Sequence, residues 1–177
     1  MVFQIKFVTD YKMVLEKLNQ AGIIDLLGCI YEHSPWVAEI LFSQGITSQD
    51  NDVGFLAERM KKIVDASSEE MKLNLLKAHP ELAGKLAISG NLTKDSTAEQ
   101  ASAGLDQCSK EEFAEFSKLN FEYTKKFGHP FIIAVRDLTR SEILTSFKER
   151  INNDSQKEFE TALTEVHKIA LLRLRAL

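Results

Sequence analysis

Among the residues whose side chains could carry out a reaction without a cofactor, His79, Glu99 and Arg173 stand at positions that draw attention. A histidine can gain or lose a proton near neutral pH, a glutamate can accept hydrogen bonds, and an arginine can hold a carboxylate through a fork of donors. The sequence contains no HExxH, CxxC, EF-hand, P-loop, GxGxxG or GxSxG motif, the patterns that indicate metal sites, nucleotide sites or a serine nucleophile. We therefore predict chemistry that uses these side chains, with no metal and no other cofactor.

His79 stands directly before Pro80 in the stretch KAHPELAGK (77–85), between two segments with helical character. A histidine before a proline at a helix end has two interpretations. The more common one is structural: the pair ends the helix, and the imidazole packs or caps. The other is acid–base catalysis, and these residues alone leave both interpretations open.

The C-terminal helical pattern places Arg173 on its apolar side. Arg173 comes seven residues after Val166 and four after Ile169, so these three side chains share one face of a helix. Arg175 is about 200° further around the helix and should face solvent. Arg173 could extend its charge from the last turn into solvent, or it could lie buried as a clamp for an anion. The stripe ahead of it consists of Phe159, Ala162, Leu163, Val166, Ile169 and Ala170.

The segment STAEQASAGL (96–105) combines a helix start with polar side chains. Ser96 followed by Glu99 matches a capping box, which predicts a helix that begins near Ser96. The N–H groups of a helix start can also bind an anion, and Glu99 with Gln100 places an acceptor beside an amide that both donates and accepts. Asn120 lies on the apolar stripe of a later helix, where we predict a hydrogen bond to a loop backbone rather than a catalytic role.

Two long helices are indicated by their ends. One runs from Ser109, which forms a capping box with Glu112, to a stop at Gly128. The other begins near Ser155, with Glu158 in the matching capping-box position, and continues to the C-terminus. Shorter helical runs are predicted at about 10–20, 35–44, 52–66, 68–78 and 141–151.

The apolar run FIIAV (131–135) is the one β-branched stretch, and it has no partner strand. We therefore predict a buried extended or short helical segment there. Together with the helical patterns, this indicates an all-α fold: a single domain over residues 1–177 that forms a bundle of about eight or nine helices.

Composition and charge describe an ordinary globular protein of 177 residues, 44% hydrophobic and 27% charged. The net charge of −4 and the scattered basic residues argue against a nucleic-acid partner. Neither a signal peptide nor a membrane span is predicted, and the C-terminal LRLRAL is not a clear peroxisomal address. We expect a cytoplasmic location, with a peroxisomal one open for a eukaryotic source, and free thiols at Cys29 and Cys108.

Taken together, several ordered stretches resemble the family of 2-oxo-4-hydroxy-4-carboxy-5-ureidoimidazoline (OHCU) decarboxylases. The resemblance covers nearly the whole chain from about residue 10, and all three prolines fall inside matching stretches. No single motif would be specific, but the ordered set is. The matching stretches are SPWVAE (34–39), AHPELAGK (78–85), STAEQASAGL (96–105), LNFEYTKKFGHPFIIAVR (119–136), EILTSFKERINND (142–154) and the closing EFETALTEVHKIALLRL.

The resemblance implies an all-α, cofactor-free decarboxylase, a carbon–carbon lyase that completes urate degradation to (S)-allantoin and is usually a homodimer. The family's catalytic histidine falls on His79, its C-terminal-helix arginine on Arg173, and the glutamate of its Ser-x-x-Glu-Gln substrate segment on Glu99. The resemblance further implies that substrate is bound by Pro80, Ser96, Thr97, Ala98, Glu99, Gln100, Phe131, Ile132, Ile133, Ala134 and Val135.

Residues 40–52 depart from the family pattern, since the family commonly continues with an arginine and a short aromatic-containing run where this chain reads ILFSQGITSQDND. We carry no function over to them. Three other functions remain open: a helical binding module for a purine-derived ureido or carboxylate ligand, an interaction protein whose apolar stripes meet a partner helix, and a related ureide hydrolase. The lack of metal-ligand spacing argues against the hydrolase.

Overall fold

The computed structural model describes residues 15–83 and 93–177. All regular secondary structure in these residues is helical, which confirms the predicted all-α fold. None of the helices described is long and apolar enough to cross a membrane. Short 3₁₀ helices occupy Leu15–Lys17, Ser48–Asn51 and Leu105–Gln107. The eight α-helices of the described residues are α1 (Gln20–Leu27), α2 (Trp36–Ser43), α3 (Val53–Asp65), α4 (Glu69–Lys77), α5 (Lys94–Ser102), α6 (Lys110–Phe127), α7 (Arg140–Arg150) and α8 (Ser155–Leu174).

The first half of the helical run predicted at about 10–20 lies outside the described residues, and the second half contains the 3₁₀ helix Leu15–Lys17. Residues up to 14 lie outside the described residues, and α1 begins only at Gln20. Its start is fixed by Asn19, whose side chain accepts a hydrogen bond from the N–H of Gly22 (3.0 Å). Asparagine is among the strongest N-cap residues, so this local signal sets the helix start.

The ends of α6 follow the sequence prediction. The hydroxyl of Ser109 accepts a hydrogen bond from the N–H of Glu112 (3.1 Å), and the carboxylate of Glu112 accepts one from the N–H of Ser109 (2.8 Å). At the other end Gly128 adopts a left-handed conformation (φ 76°) and donates to the carbonyl of Thr124. The capping box and the glycine stop are therefore confirmed.

The start of α8 confirms one part of the prediction and contradicts another. The helix begins at Ser155 as expected, but the N-terminal cap is Asp154, whose carboxylate accepts a hydrogen bond from the N–H of Lys157 (2.8 Å). The predicted capping box of Ser155 and Glu158 is wrong. Glu158 is fully buried and turns inward instead, because Asp154 already satisfies the helix start and several donors inside the protein require an acceptor.

The chain forms two compact units: one contains residues 15–72 and Ala170–Leu177, and the other contains Leu73–Ile169. In the first unit, apolar faces of α1, α2 and α3 are buried. Cys29 in the first unit and Cys108 in the second are free thiols, as predicted. The single domain over residues 1–177 stays a prediction.

The stretch that departs from the family pattern, residues 40–52, contains a buried carboxylate. Asp50 is fully buried and lies 2.6 Å from Nη1 of Arg59. It also accepts a hydrogen bond from the N–H of Thr47 (2.7 Å), while Arg59 donates to the carbonyl of Gly45 (3.1 Å). An arginine and an aspartate therefore tie this stretch to α3, which gives it a clear structural role within the first unit.

The core of the second unit is built around aromatic rings. Phe131 stacks on Phe147 with 3.9 Å between ring centroids, and Tyr123 meets Phe131 edge-on at 5.3 Å. Phe131 and Val135 of the FIIAV segment are buried in this core, as predicted, and the segment forms neither a helix nor a strand, so the short helical alternative is wrong. The cluster consists of Leu82, Ala83, Ala103, Leu105, Phe116, Leu119, Tyr123, Phe131, Val135, Ile143, Leu144 and Phe147.

We predict that Ser109→Ala lowers the free energy of unfolding by about 1 kcal/mol, because the N–H of Glu112 loses its capping acceptor. Urea denaturation followed by far-ultraviolet circular dichroism measures this change. Ser141→Ala, at an exposed position inside α7, is the matched control and should change the stability by a few tenths of a kcal/mol at most. Equal losses in the two variants would contradict the capping role.

Candidate active site

His79 lies just after α4, and its ring is fixed by that helix. The residue is buried, and Nδ1 lies 2.9 Å from the carbonyl oxygen of Leu75. Because a carbonyl oxygen can only accept, Nδ1 carries the proton in this hydrogen bond, and Nε2 is then the basic nitrogen of the neutral ring. The imidazole therefore caps α4, which confirms the structural interpretation of His79 and leaves the acid–base role a prediction.

A turn at 82–83 follows the His–Pro pair, and two side-chain amides bind its backbone. Gln100 accepts a hydrogen bond from the N–H of Ala83 (3.0 Å) and donates one to the carbonyl of Glu81 (3.2 Å). Asn120 donates to the carbonyl of Leu82 (2.9 Å), which confirms its predicted bond to a loop backbone. Ala83 has a φ of +48°, a conformation that is unfavourable for alanine. These bonds therefore hold a strained backbone in place.

Helix α5, which carries Gln100, begins earlier than the sequence indicated. Its N-terminal cap is Thr93, whose hydroxyl accepts a hydrogen bond from the N–H of Ser96 (3.2 Å). The predicted capping box of Ser96 and Glu99 is therefore wrong, and both residues lie inside the helix. The reason is that Thr93 stands three residues before Ser96, the spacing at which a side-chain oxygen reaches a free N–H of the first turn.

The side chains of α5 divide between a buried and an exposed face. Ser96 and Gln100 are four residues apart and both are buried, and Glu99 beside them is half-buried. Thr97 and Ala98 are exposed. The buried face thus carries the serine, glutamate and glutamine expected to bind substrate, whereas the roles predicted for Thr97 and Ala98 stay predictions.

The 131–135 segment is held through its backbone by charged side chains from two helices. Arg150 at the end of α7 donates to the carbonyl of Ile132 (2.8 Å). Glu165 in α8 accepts a hydrogen bond from the N–H of Ala134 (2.9 Å). Because this segment forms no ladder with another strand, side chains supply the partners that its buried backbone groups require.

Glu158 lies at the centre of a cluster that the sequence did not reveal, formed with Tyr123, Arg150 and Asn153. Its carboxylate accepts hydrogen bonds from the Tyr123 hydroxyl, from Arg150 Nη2 (2.5 Å) and Nε (3.0 Å), and from Asn153 Nδ2 (2.7 Å). Burial, with the Glu158 carboxylate beside it, raises the pKa of Tyr123 well above its usual range, so the hydroxyl stays a donor. The signal that could have revealed Glu158 is its place in the helical phase of α8, seven residues before Glu165.

Arg173 is buried in the first unit, as its helical phase predicted, and Arg175 is exposed. Nη1 of Arg173 lies 2.6 Å from Oε2 of Glu32, and it also donates to the carbonyl of Cys29 (3.2 Å). Glu32 is almost completely buried. Its role was missed because nothing in the local sequence links it to a residue more than 140 positions away.

The structure groups most of the predicted site residues within the second unit. His79 and Pro80 lead into the turn that α5 holds, and Leu82, Ala83, Phe131 and Val135 belong to one cluster of packed side chains. Arg173 belongs to the other unit, so its participation stays a prediction. Among residues 15–83 and 93–177, no group of three or more His, Cys, Asp or Glu residues could hold a metal ion.

We predict that Glu32→Ala lowers the free energy of unfolding by about 3–5 kcal/mol, because it leaves the buried Arg173 charge without its carboxylate. Urea denaturation measures the change. Glu39→Ala removes an exposed glutamate of α2 and should cost less than about 0.5 kcal/mol. A loss in Glu32→Ala as small as in this control would show that the ion pair contributes little.

The comparisons with known proteins agree with this architecture. The sequence profile described as OHCU decarboxylase matches residues 16–175. A Haloferax volcanii protein named 2-oxo-4-hydroxy-4-carboxy-5-ureidoimidazoline decarboxylase is 41% identical over 160 residues, which cover 90% of this chain and 91% of that protein.

Two solved structures are similar to this one. A crystal structure of (S)-allantoin synthase superposes with a TM-score of 0.70 at 34% identity over 91% of this chain; the match spans only 51% of that protein's chain, about half its length. A structure of OHCU decarboxylase in the presence of (S)-allantoin has a TM-score of 0.62 at 24% identity and covers 80% of this chain and 89% of that one, which shows a common fold. The chain belongs to the OHCU decarboxylase family.

Proposed function

We propose that this protein decarboxylates OHCU to (S)-allantoin, as the name of its Haloferax volcanii relative and the similar (S)-allantoin synthase suggest. The observation that carries the proposal is the orientation of His79, a buried imidazole whose Nδ1 donates to the carbonyl of Leu75, so that Nε2 is the nitrogen we assign as the base. The same bond caps α4, and the position of His79 matches the catalytic histidine that the family resemblance implies.

The substrate itself can lose CO₂ without an added electron sink. Its carboxylate and a hydroxyl share one ring carbon, which lies next to a C=N bond. When the bond to the carboxylate breaks, the electron pair moves into the ring and forms an enol-like intermediate. A proton must then reach the neighbouring carbon from one face. The protein's tasks are therefore to orient the substrate, to move protons and to stabilise the developing charge.

His79 acts at the hydroxyl or carboxylate end of the substrate. With Nδ1 donating to Leu75, Nε2 can accept the hydroxyl proton as a general base or, once protonated, donate to an oxygen of the substrate. The bond to Leu75 fixes the orientation of the ring. Pro80 directly after it contributes an apolar wall and ends the helix.

Residues of α5 and of the 131–135 segment bind the ureido arm and the ring. Glu99 accepts from ureido N–H groups, and Ser96 on the same face supplies a hydroxyl. Gln100 uses its oxygen and one N–H on the turn after His79, so its second N–H is the group that donates to the substrate. These contacts fix which face of the intermediate receives the proton, and hence the chirality of the product.

Arg173 holds a ring oxygen or the carboxylate and stabilises the negative charge that develops in the transition state. Glu32, 2.6 Å from its Nη1, orients the guanidinium for this role. We also propose that the protein is a homodimer and that it is cytoplasmic. Sedimentation analysis of the purified protein tests whether it is a dimer.

We predict that His79→Ala lowers the decarboxylation rate by about 10²–10⁴-fold, the usual contribution of one general acid–base group. Urate and the two preceding enzymes generate the substrate in situ, and circular dichroism at the allantoin wavelengths follows (S)-allantoin. His167→Ala, which removes another imidazole from the chain, is the matched control and should retain most of the activity.

Two outcomes of this experiment would contradict the proposal. If the wild-type protein forms (S)-allantoin no faster than the spontaneous reaction, the protein is not the decarboxylase, and a binding module for the same ligand becomes the better account. If the wild-type protein is active and His79→Ala keeps a rate close to it, the reaction stands but His79 is not its acid–base group.

A further inference from the structure

Charged side chains bind the backbone of the 131–135 segment at two alternate residues. Arg150 binds the carbonyl of Ile132, and Glu165 binds the N–H of Ala134. In a strand-like backbone, residues two apart direct their polar groups to the same edge, and the residue between them directs its N–H and C=O to the opposite edge. The residue between them is Ile133, and it is only partly buried.

Arg150 is itself firmly held. Glu158 is completely buried and binds Arg150 through two nitrogens, at 2.5 Å and 3.0 Å. The guanidinium also lies 4.5 Å from the centre of the Phe131 ring, within the range of a cation–π interaction. One arginine thus contacts the backbone of Ile132 and the side chain of the preceding residue, so its position determines the position of the segment.

Glu165 holds the segment from α8 with a charged acceptor. The residue is 9% exposed, and its other oxygen lies 2.6 Å from Nζ of Lys168, which is mostly exposed. A hydrogen bond from a backbone N–H to a carboxylate is roughly twice as strong as one to a neutral acceptor. Two glutamates seven residues apart on α8 therefore fix the segment, Glu158 through Arg150 and Glu165 directly.

We propose that Arg150, Glu158 and Glu165 are positioning residues for substrate binding. They hold the 131–135 segment so that Ile133 presents an N–H donor and a C=O acceptor side by side. A ureido or cyclic amide group carries the complementary pair, a C=O next to an N–H, and would bind there through two hydrogen bonds. The proposal rests on the proposed function and adds residues that do not themselves touch the substrate.

Glu165 variants test the effect on binding. We expect Glu165→Ala to raise KM about tenfold while kcat stays within about threefold, since the lost contacts bind substrate and transition state alike. Glu165→Gln keeps an oxygen that can accept from Ala134 and should restore KM to within about threefold of the wild-type value. Glu160→Ala, which removes an exposed glutamate of the same helix, is the control and should leave both constants unchanged.

Arg150 variants test the position of the segment without any activity measurement. Lysine keeps the positive charge beside Glu158 but lacks the planar fork that also reaches Ile132. We expect hydrogen–deuterium exchange at the amides of 132–135 to become about tenfold or more faster in Arg150→Lys. The control is Arg140→Lys, because Arg140 likewise joins a glutamate, Glu112, and a carbonyl, that of Gly104, without contacting this segment.

The outcomes separate this proposal from the proposed function. A lower kcat at unchanged KM in Glu165→Ala would indicate a smaller fraction of folded enzyme and would overturn the positioning role. Equal exchange rates in Arg150→Lys and Arg140→Lys would also overturn it. If the wild-type protein does not decarboxylate OHCU, the proposed function fails, and the exchange measurement alone then decides whether these residues position the segment.

Discussion

Buried backbone groups need hydrogen-bond partners, and this requirement determines the structure around the candidate site. In an all-helical fold, most N–H and C=O groups are satisfied within helices, but the turn at 81–83 and the segment at 131–135 have no such partners. Side chains replace them: Gln100 and Asn120 bind the turn, while Arg150 and Glu165 bind the segment. The same bonds fix the backbone next to His79 and beside the proposed ligand.

This arrangement explains why polar and charged residues occupy the inside of a small helical protein. A buried glutamate such as Glu158 is costly unless every oxygen is paired, and here tyrosine, arginine and asparagine donors surround it. The resulting cluster links α6, α7 and α8 to the irregular segment. Several paired groups thus fix the geometry of the backbone around the candidate site.

The sequence predicted what depends on local patterns and on helical phase. The capping box of α6, the place of Arg173 on the apolar face of α8, the exposed Arg175 and the backbone bond of Asn120 all follow from spacing within one helix. The wrong predictions concern helix starts at which the sequence offers more than one possible capping residue. For α5, Thr93 rather than Ser96 is the cap. The partners of Arg173 and Arg150 could not be predicted, because residues far apart in sequence meet only after folding.

The central claim is that the hydrogen bond to Leu75 makes Nε2 of His79 the reactive nitrogen. A long-range ¹H–¹⁵N correlation spectrum of the wild-type protein at neutral pH, recorded before and after the addition of allantoin, tests it most directly. The account predicts a protonated Nδ1 and an unprotonated Nε2 whose signal moves when allantoin binds. A proton on Nε2 with a free Nδ1, or a His79 signal that allantoin leaves unchanged, would contradict it.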